Sequence, residues 1–551
     1  MNSTPQSLHV LNRLGFGPRP GDLDAVRQLG VDRYIERQLD PESIPEPDDL
    51  TRRIDGLRTL RMTPVELFLE FQQPLRQAAK DDPDARKMAR RAARQVIMEA
   101  VEARIVRAAN GVRQLQEVMA AFWFNHFNVF AGKGLCGIWT GAFEEEAIRP
   151  HTMGRFRDLL GATAKHPAML FYLDNWQNTA PNAPGSHGKF DGINENYARE
   201  VMELHTLGVN GGYRQNDVIA LAHILTGWGL VKRGAQGGQA RPRQNFSAQD
   251  FSANNFQPRA HGIFGPFSFR RWRQRNSNNP PRANRVIGQY GFFFDASRHD
   301  FTAQTILGNT IPGGGIEQGE QALDLLARSP ATANHLSYQL AQYFVADNPP
   351  PALVKRMANR YLATDGDIRQ VLATLFASNE FRDPRNYNSK FKTPYEYVIS
   401  AVRATGAPVV NVLPLAGMMS QLGMPLYGCQ TPDGYKNTRE AWLNPDAMML
   451  RLSFATGLGA GRLPLDRRPD GDFGGRGAFK KSGEPRPARF DGKPQFNRKP
   501  QFNGRTNAPD PAQLALTLGD QFSPRTADAV ESAPTQLRAP LILGSPEFML
   551  R

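Results

Sequence analysis

The chain of 551 residues contains only two cysteines, Cys136 and Cys429. Two thiols cannot build a disulfide framework or a four-thiolate zinc site, so both read as ordinary small residues with at most one bridge between them. Long apolar runs are also missing. None approaches the roughly 20 residues that cross a bilayer, so no transmembrane segment is expected. The opening MNSTPQSLHVLNRLGFGP has no basic stretch followed by an apolar one, so no secretory leader is expected and the predicted placement is cytoplasmic. There is no Walker loop, no GxSxG elbow and no GxGxxG leading from strand to helix, which disfavours nucleotide-dependent and α/β-hydrolase chemistry.

What is present is enough apolar material for substantial cores: 40% of residues, with six tryptophans. The length exceeds what a single hydrophobic core usually serves. A net charge of +14 suggests a nucleic-acid partner until it is located. Residues 232–285 hold eleven Lys/Arg against one acid, a net +10, and residues 467–505 hold eleven against four, a net +7. The remainder carries −3. Both segments are rich in Gly, Pro, Gln, Asn and Arg with scattered Phe, and Lys-Pro-Gln-Phe-Asn occurs twice, at Lys493 and Lys499. Such composition buries too little apolar area to offset chain entropy, so both are expected to be disordered. Arg and Gly with interleaved Phe would suit an anionic polymer or nucleic acid through phosphate contacts and stacking; the plainer alternative is a solvated insertion.

The rest has helical apolar spacing. The spacing predicts helices over 23–39, 156–173, 217–228 and several stretches from 319 to 404, and one long helix or two joined near Gly111 over 85–130. Strand-like alternation is confined to FGPFSF and YGFFFD, the best candidates for one hairpin. The expected class is all-α or nearly so: a large multi-helix assembly with at most a small β-hairpin and two disordered basic insertions. We divide it into a helical region (1–231) carrying WFNHF and NENYARE, a basic insertion (232–285), a second helical region of the same domain (286–464), a further basic insertion (465–507) and a C-terminal helical segment (508–551).

Several stretches together resemble a large bacterial family, the domain of unknown function 1800 family. They include LNRLGFGPRPGDLDAVRQLGVDRYIERQLDP, FWFNHFNVF, FRDLLGATAKHPAMLFYLDN, NENYAREVMELHTLGVNGGY, DVIALAHILTGW, RHDFTAQTILG, TPDGYKNTREAWLNPDAMMLRLSFA and the terminal SPEFMLR. The order and length of these motifs make the resemblance specific, and it covers nearly all of the chain outside the basic segments. It implies a helical protein, frequently exported, and brings no established activity. The export it implies stands against the cytoplasmic placement read from the N-terminus.

The densest group of reactive side chains lies in NENYAREVMELHTLGVNGGY. With Asn194 as N-cap and Gly208 just past the end, a straight helix places Glu195, Arg199 and Glu203 on an i, i+4 ladder of alternating sign. Glu200 stands beside Asn196, and His205 turns into the apolar face. One histidine on this helix is too few for a zincin arrangement, so a metal site would need groups from other helices. FWFNHF supplies Asn125 and His126 inside an aromatic run, where polar groups must be hydrogen-bonded. RHD supplies His299 and Asp300 after a strand-like run. The functional reading is a metal-dependent, hydrolase-like enzyme with a His/carboxylate site between helices. His126, Glu200, Glu203 and His299 would hold a divalent metal, and Glu200, His126 and Asp300 would carry the chemistry. The alternative is a non-enzymatic scaffold or binding protein whose basic segments contact anionic polymers or RNA. Lys390 and Lys392 in SKFKTPYEY are expected to be solvated.

Overall fold

Many helices of this chain begin with the same pair of signals, a side-chain acceptor followed by proline. Asp82–Pro83, Ser329–Pro330, Thr393–Pro394 and Asn444–Pro445 each place a capping oxygen on a first-turn backbone N–H. Proline fits there because its missing N–H would have had no partner in the helix. The computed structural model describes residues 4–78, 82–186, 191–230, 285–287, 289–467, 508–519 and 522–551. All but the edge residues Arg285 and Arg467 of the two basic segments, the disorder expected of them and FGPFSF fall outside the described residues.

The predicted helical class holds. The stretch over 85–130 is two helices, α1 (Pro83–Asn110) and α2 (Gln114–His126), separated at Gly111. The stretch over 23–39 splits at Gly30, whose φ of 94° no helix tolerates. That over 156–173 splits at His166–Pro167, where the imidazole accepts from the Ala168 N–H. The helices that position the site continue with α3 (Asn196–Glu200), which runs into a π-helical turn over Val201–Thr206, then α4 (Gln215–Ile224), α5 (Pro330–Phe344) and α6 (Pro394–Thr405). No described helix is long and apolar enough to cross a membrane.

Strands are short. β1 (Trp228–Leu230), β2 (Arg285–Ile287) and β3 (Phe292–Asp295) form an antiparallel sheet in the order β1-β3-β2, with Trp228 opposite Phe294. The predicted YGFFFD strand is therefore β3. Its neighbours are the end of the LTGW motif and residues at the close of the first insertion. A second hairpin, β4 (Gln304–Ile306) and β5 (Asn309–Ile311), was not evident from alternation because each strand has three residues.

The core joins residues far apart in the chain. His9 Nε2 lies 2.9 Å from the Phe381 carbonyl, and Arg13 donates to Asn386 and Ser389. Arg403, fully buried on α6, donates to the Gly17, Ala108 and Ala109 carbonyls. Residues 390–392 pair with 549–551 as an isolated antiparallel bridge. Lys390 and Lys392, expected in solvent, are 1% and 4% exposed. Lys390 Nζ bonds Asp347 and the Asn437 carbonyl, and Lys392 Nζ donates to Phe548 O at 2.7 Å above that residue's ring. The bridge to the C-terminal residues buries the lysines, which no local pattern reveals.

Candidate functional site

A cavity of about 400 Å³ opens between α2, the π-turn after α3, α5, α6 and the loop over residues 424–438. That volume suits a small organic ligand. Its walls are aromatic (Phe122, Tyr395, Tyr427 and Tyr435 among them), and its polar groups include Glu203, His335, Glu396, Asp433 and Lys436. A second, wider groove of about 520 Å³ is lined by Phe130, Lys133, Tyr172, Asn196, Glu200 and Pro432. The two meet across short distances in the chain. Glu200 and Pro432 belong to the groove, whereas Glu203, one turn later, and Asp433, the next residue, belong to the cavity.

The π-turn sets this division. Leu207 N–H donates to Met202 O and Thr206 Oγ1 to Val201 O, both five residues back, so the helix widens after Glu200. Such single-turn widenings recur at functional sites. The straight-helix ladder consequently holds only in its first half. Arg199 Nη2 lies 3.1 Å from Glu195 Oε2 and bonds Gln215, whereas Glu203 swings into the cavity and accepts from Tyr213 Oη at 2.9 Å. His205 is buried as expected, but its Nε2 has no partner.

His126, at the end of α2, lines the cavity with both ring nitrogens engaged. Nδ1 lies 2.9 Å from the Gln339 amide, and Nε2 lies 3.1 Å from the His205 carbonyl. Burial, reinforced by His335, pushes its pKa down to about 3, so the ring is neutral. Its role here is to brace α2 against the π-turn.

His299 and Asp300 lie elsewhere, in the turn after β3. His299 sits between the Thr226 and Gly314 carbonyls, at 2.8 and 3.0 Å from its two ring nitrogens. Asp300 Oδ2 lies 2.7 Å from His223 Nδ1, and its other oxygen accepts from the Thr302 N–H and hydroxyl. The expected ligand set is thus divided: His126 and Glu203 share the cavity, Glu200 faces the groove, and His299 is consumed by backbone carbonyls. Among the described residues no three His, Cys, Asp or Glu side chains are arranged to hold a metal ion. Likewise, Asp300 does not join His126 and Glu200. Periodicity along one helix carries no information about which helices meet, and that is where the constellation failed.

Sequence reasoning missed the opposite wall. TPDGYKNT supplies Asp433, Tyr435 and Lys436, and Asp433 Oδ2 bonds Lys436 Nζ at 2.6 Å. The asparagines of FWFNHFNVF hold this loop. Asn125 accepts from the Tyr435 N–H at 2.7 Å and donates to its carbonyl at 2.8 Å, and Asn128 donates to the Cys429 and Thr431 carbonyls. Gly434 packs so closely that a Cβ would stand 2.2 Å from the Asn125 carbonyl oxygen, and its φ is +69°. The only signal in the sequence was two asparagines in an aromatic run, which had to be satisfied by something. Asn125→Ala should cost about 2 kcal/mol, since it removes two hydrogen bonds to one backbone unit. Hydrogen exchange over residues 424–438 should quicken in step with the drop in urea midpoint; unchanged protection there would show that Asn125 does not hold the loop.

Electrostatics separate the carboxylates. Burial, then Glu203, raise the Glu200 pKa above the ordinary carboxylate range, against an opposing pull from Arg199 and with a lesser push from Asp433. Burial also acts to raise Asp433, but bonds from Lys436 and Thr431 outweigh it and hold the group low. Two carboxyl groups thus sit in one field with their pKa values pushed apart.

A family described as "Protein of unknown function (DUF1800)" matches residues 9–550. The chain belongs to this family. No curated protein and no solved structure matches it. For this DUF1800 chain, function must therefore be read from the cavity and its neighbours.

Proposed function

We propose that the chain is a hydrolase-type enzyme working by carboxylate acid–base catalysis where the cavity meets the groove. The observation that carries this reading is the placement of Glu200 in the groove and Asp433 in the cavity where the two hollows adjoin, in surroundings that raise the first pKa and lower the second. Glu200, favoured in its protonated form, would give its proton to the leaving oxygen of the substrate. Asp433, favoured as the carboxylate, would take a proton from the attacking water. The scissile C–O bond breaks as the water oxygen bonds to carbon, and one proton enters at Asp433 for each one leaving at Glu200. Glu203, tied to Tyr213, stands beside Glu200, raises its pKa and so helps hold its proton.

The working pH window lies between the two values. Activity should rise as Asp433 ionises, below the usual aspartate value, and fall as Glu200 ionises, above the usual glutamate value. Chromogenic ester and glycoside panels assayed with the full chain test this. Glu200→Gln should lower turnover on any responsive substrate about 10²-fold and remove the alkaline limb. A responsive substrate whose turnover and alkaline limb both survive Glu200→Gln would overturn the assignment.

A second reading, a non-catalytic binding protein, is favoured by the structural use of so many motif side chains: His126, Asn125, Asn128 and His299 all brace backbone. Ligand binding without turnover in the unaltered chain would select it.

A further inference from the structure

The first half of α1 stands apart from the core. Its first fully buried residue is Val96, and Arg86, Lys87, Arg90, Arg91 and Arg94 are all exposed. At 100° per residue these five cations occupy about 140° of one helical face. The opposite side, Ala85, Ala89, Ala92 and Ala93, is partly covered by the protein.

Arg86, Lys87, Arg90 and Arg94 form no ion pair with any carboxylate among the described residues. The spacing also works against the helix. Arg86, Arg90 and Arg94 repeat at i, i+4, as do Lys87 and Arg91, and like charges at that spacing repel. A face kept only for solubility would gain from alternating signs, as on α3, where Glu195 and Arg199 alternate. Here the fold carries a repulsive row on a rigid rod, with rows about 6 Å apart along the axis.

We propose that this face of α1 is a docking surface for the phosphate backbone of nucleic acid, bound without reading base sequence. Four of the five cations are arginines, whose planar fork pairs with phosphate oxygens two at a time. A membrane surface fits less well. The apolar side of this helix is turned to the protein, and Met88 is the one large apolar side chain exposed within it. This surface is distinct from the two basic segments, which lie outside the described residues, and it is independent of the hydrolase reading.

The test uses the full chain and a fluorescein-labelled DNA duplex of about 20 base pairs, titrated by anisotropy over a salt series. Each phosphate contact contributes a slope of about −0.9 in log K against log salt. Replacing Arg86, Arg90 and Arg94 together by Gln should flatten the slope by nearly 3 and weaken binding at least tenfold near 0.1 M salt. The matching triple Lys variant should keep the slope and melt like the parent, and the Gln variant, relieved of the i, i+4 repulsion, should melt no lower than the parent. A Gln variant with the parental slope would overturn the proposal, assigning any binding to another part of the chain. So would absence of duplex binding at low salt, or binding only to phosphatidylserine vesicles.

Discussion

Glu396→Ala should come close to unfolding the protein at neutral pH. The carboxylate sits at the start of α6, 5% exposed, and three donors converge on it. Oε2 accepts from the Thr393 N–H at 2.8 Å, completing a reciprocal cap, while Oε1 accepts from Tyr343 Oη at 2.9 Å and Arg551 Nη2 at 2.8 Å. Burial opposes ionisation, yet Arg551 and these bonds hold the pKa below the ordinary glutamate value. Truncation leaves a guanidinium that is 3% exposed without its counter-charge. Removing one partner of a buried pair costs about 3–5 kcal/mol, against a typical total of roughly 5–15. Glu396→Gln keeps the shape and the caps and should cost about half as much. Urea midpoints check this: a Gln variant with the parental midpoint would mean that the charge contributes nothing, and one with the Ala midpoint that the shape and the cap contribute nothing.

Acid should unfold the protein well above the carboxylate range. Burial pushes His9, His126 and His166 down to about 3, and His205 lies well below its ordinary value. In the unfolded chain these rings titrate near 6.5. Below that pH the unfolded chain takes up protons that the fold refuses, so stability falls as pH drops from about 6.5 towards 3. Each ring contributes a loss of up to about 1.4 kcal/mol per pH unit, so three or more exhaust an ordinary stability near pH 5. Lys392, lowered by burial to about 7, and Lys390, lowered to about 8, act in the same direction at higher pH. Stability gained from their deprotonation grows as pH rises through those values towards 10. Buried tyrosines such as Tyr197 and Tyr397, raised by burial, reverse the trend only above their unfolded value near 10. The maximum should lie on the alkaline side of neutrality. Denaturant midpoints from pH 5 to 9 that stay level would refute it.

The class of fold was legible because α-helices announce themselves locally. The Gly111 break and the end of the NENYARE helix at Gly208 follow from nearest neighbours in sequence, whereas the split at His166–Pro167 was not expected within 156–173. The site was legible only in part. Glu200 and His126 stood out as polar groups in helices, and both do line the adjoining hollows. Their partners did not follow, because a π-turn shifts the phase of Glu203 away from Arg199 and because the facing wall is a loop some 300 residues downstream of Asn125. His299 looked like a ligand because it follows a strand-like run beside an aspartate, but its two ring nitrogens face the Thr226 and Gly314 carbonyls. Composition sees the need for a partner and not its identity.

The clasp between the two ends has a consequence for synthesis. The Asn125 and Asn128 amides find their acceptors in residues 429–435 and Arg13 finds its acceptors in residues 386–389, while Glu396 receives its ion-pair donor from Arg551. A nascent chain halted after α4 would carry α2 with its asparagines unmet and without the Tyr343 and Tyr427 rings that pack on Phe122 and Phe124. Contacts of such high sequence separation close late and slowly. The cavity can be completed only after residues 424–438 and the bracing residues 549–551 have been made, so folding of the site follows synthesis of the N-terminal half.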